Sequence, residues 1–392
     1  MSEIAQAPHS SPDGKIPQLR FPEFNDNWEE QKVGSFMVER NKKSPKSEAF
    51  PLMSFVARKG VTEKGKRYNR EFLVNDEGGK KYKQTEYGDF IYSSNNLETG
   101  SIGLNKYGAA TISPVYSIFQ ITDTCNYEFV SSFLVTKSFI HKMVRFRQGV
   151  VYGQWRIHES DFLKIQVELP SLEEQTKIAS FLSSIDSKIE QLSKKQALLG
   201  EYKKGLMQQI FSQAIRFKAD DGSDFPDWEE KKLRNVLSSV STRPYQIKSA
   251  DILEFGSHKV VDQGQKELAG YTNEKDKLLT NDGVIVYGDH TTIVKFINYD
   301  FVVGADGVKL LTSDSNNIKY LYFNLLFNNV GPEGYKRHFS ILKNVVLQIP
   351  SLPEQNKIAN FLSSIDSKIE QVGKQLNESK QFKKALLQQM FV

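Results

Sequence analysis

The chain has one cysteine, Cys125, in 392 residues. That excludes an internal disulfide and a cysteine metal cluster, and it agrees with a reducing compartment in which the thiol serves as core filler. No apolar run approaches the ~18 residues a membrane span needs, so no span is expected. The opening 15 residues, rich in Ser, Pro and Ala, have neither a basic start nor an apolar stretch; they read as a disordered lead-in rather than a secretory signal, and a cytoplasmic location is expected. Signatures of catalysis are also missing. There is no G-x-x-x-x-G-K-[ST] phosphate loop, no G-x-G-x-x-G fingerprint and no Asn/Asp-Pro-Pro-aromatic motif of an amino-methyltransferase, for which "SPVY" at Ser113 does not qualify. The six histidines lack metal-ligand spacing: "IHES" around His158 has no second His four residues after the first. A chain without chemistry of its own is the expectation.

What is present is an ordinary globular composition, 39% hydrophobic and 25% charged, long enough for two or three domains, and a repeat. "PSLEEQTKIASFLSSIDSKIEQ" begins at Pro170 and "PSLPEQNKIANFLSSIDSKIEQ" at Pro350, matching at 19 of 22 positions. Ser171 with Glu174, and Ser351 with Glu354, have capping-box spacing. Pro353 falls in the first turn, where a missing N–H costs little. Ile178, Leu182, Ile185, Ile189 and Leu192 step by four and three, as do Ile358, Leu362, Ile365, Ile369 and Val372, which is the seam of a coiled coil. The pattern loosens around Gly200 but resumes through Leu199, Leu206 and Ile210, with Leu386 and Met390 as counterparts. Each helix could run about 40 residues, roughly 60 Å. An apolar stripe that long needs a partner, and its near-twin is the candidate.

Similarity also flanks the helices: "WEE" occurs at Trp28 and Trp228, and "SDFLKIQVELP" parallels "SILKNVVLQIP". Between them, β-rich stretches such as "GDFIYS" at Gly88 and "GVIVYGD" at Gly283 sit among Gly, Asn and Asp turn signals. The predicted fold is mixed α/β: two domains with twisted sheets, each followed by a long α-helix, the two helices pairing as an antiparallel intramolecular coiled coil. The expected boundaries are a lead at 1–15, a first domain at 16–170, a central helix at 171–213, a second domain at 214–350 and a final helix at 351–392.

The net charge is only +5, so the electrostatics are local. Residues 58–83 hold nine Lys or Arg against four acids, and residues 137–156 hold five and no acid. Cations neutralise phosphates while Arg, Gln and Asn read base edges. The candidate DNA contacts of the first domain are therefore Arg58, Lys59, Lys66, Arg67, Arg70, Arg145, Arg147, Gln154 and Arg156. In the less basic second domain they are Lys259, Gln263 and Gln265, then His290, Thr291 and Thr292, then Lys336, Arg337 and His338.

Taken together, the two half-repeats, the helix openings "PSLEEQTKIASFL" and "PSLPEQNKIANFL", and the closing "LLQQMF" resemble the specificity subunit of a type I restriction-modification enzyme over essentially the whole chain. Each opening has Pro-Ser where the family often has Pro-Pro. The resemblance implies two target recognition domains, each binding half of a bipartite site in double-stranded DNA, held apart by the paired helices. It also implies that the helices dock two methyltransferase subunits, which bind S-adenosylmethionine and methylate adenine N6, and that these recruit two restriction subunits using ATP and Mg2+. Two other classes compete: a non-DNA coiled-coil scaffold, which sequence-specific, salt-dependent DNA binding would exclude, and a free-standing enzyme with a degenerate methyltransferase site, which S-adenosylmethionine binding by the isolated chain would revive.

Overall fold

The computed structural model describes residues 5–6, 16–57, 59–63, 80–150, 154–304, 306–334 and 336–391. The chain divides into two units that cut across both long helices: 1–191 with 375–392, and 192–374. The helices, in chain order, are α1 (Tyr127–Leu134), α2 (Lys137–Val144), α3 (Glu159–Phe162), α4 (Leu172–Phe211), α5 (Ile318–Phe327), α6 (Phe339–Leu342) and α7 (Leu352–Gln389).

Each unit is built on the same four-stranded antiparallel order. In unit 1 it runs Ile102–Leu104, Phe90–Tyr92, Ser117–Ile121, Met37–Glu39; in unit 2 it runs Val294–Ile297, Val284–Gly288, Val308–Thr312, Ser238–Val240. The central strands are buried on both faces, which is why "FIY" and "VIVYG" read as unbroken apolar runs. A second sheet completes each unit. In unit 1 it is antiparallel, whereas in unit 2 the strands Gln246–Ile247 and His258–Val261 both run parallel to Val302–Gly304. A further strand pair leads into each long helix, Glu29–Lys32 with Gln166–Leu169 and Glu229–Lys232 with Val346–Ile349. The "WEE" and "QVELP/VLQIP" similarities are these pairs.

The long helices pair antiparallel within each unit. In unit 1 the start of α4 lies along the end of α7: Ile178, Leu182 and Ile185 share a core with Leu386, Met390 and Phe391. In unit 2 the end of α4 lies along the start of α7: Met207, Ile210 and Phe211 share a core with Ile358, Leu362 and Ile365. Ile189 and Ile369 pack at the margins of these cores and Val372 is buried, while Leu192 is half-buried. One ion pair recurs in both: Lys383 bonds Asp186 in unit 1, and Lys203 bonds Asp366 in unit 2 at 2.6 Å. Each partner lies 180 residues from its counterpart. Cys125 is buried in the unit 1 core, and burial pushes its thiol pKa up, disfavouring the reactive thiolate.

Candidate nucleic-acid interface

In unit 2 the stretches singled out in the sequence converge at one rim. The strand Val284–Gly288 runs into a tight turn closed by Thr292 N–H donating to the Gly288 carbonyl at 2.8 Å, with Thr292 in the left-handed region at φ 57°. Gln263 laces this turn to its neighbours. Its Nε2 donates to the Asp306 carbonyl (2.9 Å), its Oε1 accepts from His290 N–H (3.2 Å), and its carbonyl accepts from Thr291 Oγ1 (2.6 Å). The approach is close enough to require glycine. At Gly307, φ 85°, a Cβ would lie 2.5 Å from Gln263 Nε2; at Gly288 it would lie 2.1 Å from Thr291 Oγ1.

The segment before α6 closes the rim. His290 Nδ1 sits 3.1 Å from the Lys336 carbonyl. His338 is fully buried, and Glu333 N–H donates to its Nε2 at 3.0 Å. The ring proton therefore sits on Nδ1 and donates to the Asp289 carbonyl at 3.1 Å. His338 and Thr292 thus hold the loop together from inside, while Gln265, Lys336 and Arg337 are exposed on it. Lys336 pairs with Glu333 at 2.8 Å. Lys259 lies away from this lacing, its ammonium 4.1 Å from the centre of the Tyr299 ring. A depression of about 460 Å³ lined by Arg243, Gln246, Lys248 and Asp306 adjoins the rim through Asp306. Sequence reasoning missed these residues, although "STRPYQIK" carries the same mix of cations and a glutamine.

Unit 1 places Arg147, Gln154 and Arg156 at the equivalent position. The loop after Phe90–Tyr92 faces a hairpin of Gln148–Val150 and Gln154–Arg156 that leads into α3, as the loop after Val284–Gly288 faces the segment leading into α6. Four hydrogen bonds mount the hairpin and its flanks on that loop. Arg147 grips Glu98 with both terminal nitrogens (2.6 and 2.7 Å), Asn95 Oδ1 accepts from Trp155 N–H (2.6 Å), and Ser94 Oγ accepts from Ile157 N–H (3.0 Å). The Arg147 guanidinium holds the Glu98 carboxyl below its ordinary range. Gln154, Arg156 and, at the end of α2, Arg145 are exposed. Arg156 also reaches Glu159 at 3.6 Å. Lys59 is exposed in the turn between Ser54–Val56 and Gly60–Thr62. Arg58, Lys66, Arg67 and Arg70 lie outside the described residues. Trp155, between two chosen residues, was missed; the "QWR" triplet was the available signal.

The helix openings act as anchors to these domains. Ser171 Oγ accepts from Glu174 N–H at 3.3 Å, but the Glu174 carboxylate turns to Arg20 in a bidentate pair at 2.7 Å, with only 8% and 1% of the two side chains exposed. Glu354 binds Arg216 (2.9 Å) and Trp228 Nε1 (3.0 Å), and among the described residues Ser351 Oγ has no hydrogen-bond partner. The capping box is therefore realised only in its serine half in the first copy, because a buried guanidinium outcompetes a backbone N–H for the carboxylate. The following glutamines act identically. Gln175 donates to the Pro170 carbonyl and accepts from Asn126 N–H; Gln355 donates to the Pro350 carbonyl and accepts from Asn317 N–H, all at 2.9 to 3.0 Å. Asn126 and Asn317 in turn cap α1 and α5.

Among the described residues, no group of three or more His, Cys, Asp or Glu side chains is placed to hold a metal ion, and no helix is long and apolar enough to cross a membrane. The geometry defines a two-module protein whose modules share a strand order and a helix anchor and differ in their rims. The family profile described as "Type I restriction modification DNA specificity domain" matches residues 25–199 and 226–380. The chain belongs to this family and is of the type I restriction-modification specificity-subunit kind. It is 26% identical to the type I restriction enzyme MjaVIII specificity subunit of Methanocaldococcus jannaschii, over 94% of this chain and 92% of that protein. It is also 26% identical to the EcoR124I/EcoR124II specificity subunit of Escherichia coli, over 35% of this chain and 37% of that one. In fold it is similar to the crystal structure of a type I restriction-modification S subunit from M. genitalium, with TM-score 0.63 at 15% identity, covering 96% of this chain and 99% of that one.

Proposed function

We propose that the chain reads a bipartite site in double-stranded DNA, one half with each rim, and assembles methyltransferase and restriction subunits around its helices without performing chemistry itself. The observation that carries this is the contrast between rims and helices. The loop clusters occupy equivalent positions on matching sheets but share almost no sequence, as two readers of different half-sites require. The helices repeat even where they face solvent: Leu172, Ser184, Ser187, Lys188, Glu190 and Gln191 are exposed, and each has an identical, exposed residue 180 positions later. Core packing does not constrain an exposed serine or lysine. Two copies of one partner, each contacting the same outer face, do. In that assembly S-adenosylmethionine, ATP and Mg2+ belong to the partner subunits, and the complex works in the cytoplasm, where the host DNA is.

The test is a module exchange. Residues 215–345 are replaced by the equivalent part of a related subunit, and N6-methyladenine is mapped across the genome of a host carrying the partner subunits. One half of the methylated sequence should change while the other half and the spacer stay. Change in both halves, or in neither, defeats the reading.

A further inference from the structure

We propose that Trp155 is a base-stacking residue of the first module, its indole entering a base step of the half-site that unit 1 reads. The proposal rests on the DNA reading above and adds the residue and the mode of contact. Of the three tryptophans, Trp28 and Trp228 are buried at 2% and 8% exposure and pack edge-on against Phe129 and Tyr320, whereas Trp155 is 50% exposed. An indole left half in water is a large apolar surface with its burial still to be gained.

The backbone that carries it is anchored. The hairpin register sets Gln148 opposite Arg156 and Gly149 opposite Trp155. Side chains alternate along a strand, so Gln148, Gln154 and Arg156 share one face and Trp155 shares the other with Gly149. The first face is tethered to α3 through Gln148 with Asp161 (3.4 Å) and Arg156 with Glu159 (3.6 Å). On the second, a Cβ at Gly149 would meet nothing within 4 Å among the described residues, so Gly149 leaves that face of the ribbon open. With the backbone clamped by Asn95, Ser94 and the Arg147–Glu98 pair, little ordering remains when Trp155 docks, which is the property of a binding hot spot.

The surroundings favour DNA over protein as the occupant. Residues 137–156 hold five cations and no acid; Arg147, Arg156 and Lys142 are paired with Glu98, Glu159 and Glu168, and Lys137 and Arg145, outside those pairs, are exposed. A two-stranded ribbon fits a DNA groove, and an aromatic side chain stacks on any base that an opened step presents.

The natural distribution of tryptophan supplies the readout. In the full chain assembled with its methyltransferase partner, the difference in acrylamide quenching of tryptophan fluorescence between the wild type and Trp155→Phe reports Trp155. Adding a duplex carrying the methylated site should shield it, lowering the quenching constant several-fold, and 2-aminopurine placed at the contacted step should brighten as its stack opens. Trp155→Phe should erase the quenching change while keeping most of the affinity, because the ring face is retained. Trp155→Ala should lower affinity for the site by about tenfold or more. An equally quenchable Trp155 in a duplex-bound complex overturns the proposal and leaves the DNA reading intact. Shielding on addition of the partner subunit alone overturns it in favour of a protein contact. A wild-type complex that prefers no sequence removes the DNA reading and this proposal together.

Discussion

Replacing Phe391 by Ala should release the end of α7 from the first unit without unfolding that unit. Phe391 is 8% exposed, with its ring 5.5 Å from Phe129 and 5.8 Å from Phe133, and it shares a core with Met390, Leu386 and the start of α4. Truncating a buried Phe costs about 3–5 kcal/mol, and a site near the chain end collapses or frays easily, so the lower figure applies. About 3 kcal/mol is close to half or less of a typical domain's stability of ~5–15 kcal/mol. The unit should therefore stay folded while the last turns of α7 open. With ~1.4 kcal/mol per factor of ten, the opening equilibrium should rise about a hundredfold. The assay is native-state hydrogen exchange. Amides of residues 375–390 should lose about two orders of magnitude of protection, while those of residues 352–372, packed in unit 2, keep theirs. Phe211, 180 residues earlier, packs at 5.9 Å from Tyr320 and 5.4 Å from Phe327. Phe211→Ala should mirror the effect at the end of α4. Unchanged protection of residues 375–390 in Phe391→Ala would refute the claim that this aromatic holds α7 to unit 1.

Seven residues inserted near Gln191 preserve the heptad and add about 10 Å of helix along the covalent path between the modules. The methylated spacer should lengthen by roughly three base pairs, and an insertion variant that methylates the original spacer at full rate would show that the helices only tether. Ile185→Pro, which breaks the seam at ~3 kcal/mol or more, should abolish methylation. Arg145→Ala should weaken binding to all sequences alike and lower the salt slope by about one if the side chain meets a phosphate; loss at a single base position instead would make it a reader. Glu98 has its pKa lowered from 4.5 by Arg147, so its contribution is present above 4.5 and is lost as pH falls through the lower folded-state value. The protection factor of the Trp155 amide, measured against its intrinsic rate at each pH, should fall across that acid range in the wild type, and a Glu98→Gln variant should show the lower protection at neutral pH with no acid transition.

How much of this was legible beforehand depends on the range of the interactions. The helices, their seams and their openings were readable because period and spacing are local: residues three and four apart meet on any α-helix. The two-domain mixed α/β plan followed from the repeat. The role of the Glu-Gln pair at each opening was not readable, because its partners, Arg20 and Asn126 in one copy and Arg216, Trp228 and Asn317 in the other, are 38 to 154 residues away in the hydrogen bonds they make.

The rims divide in the same way. Residue type alone marked Gln263, His290 and Lys336 as chemistry of one kind, but only folding brought three distant loops into one hydrogen-bonded cluster. Composition cannot tell an exposed cation from one already claimed: it shows neither that Glu98 holds Arg147 nor that His338 is buried. Trp155 shows the converse: a large apolar residue is expected inside, and only the tertiary structure, by leaving Gly149 across the ribbon from it, decided that this one is outside. The amino-acid sequence by itself determined the duplicated helices, since a helix is specified by neighbours in the chain. The tertiary structure decided which end of each helix meets which domain and which side chains remain free for a partner, since those depend on desolvation and on contacts between residues remote in sequence.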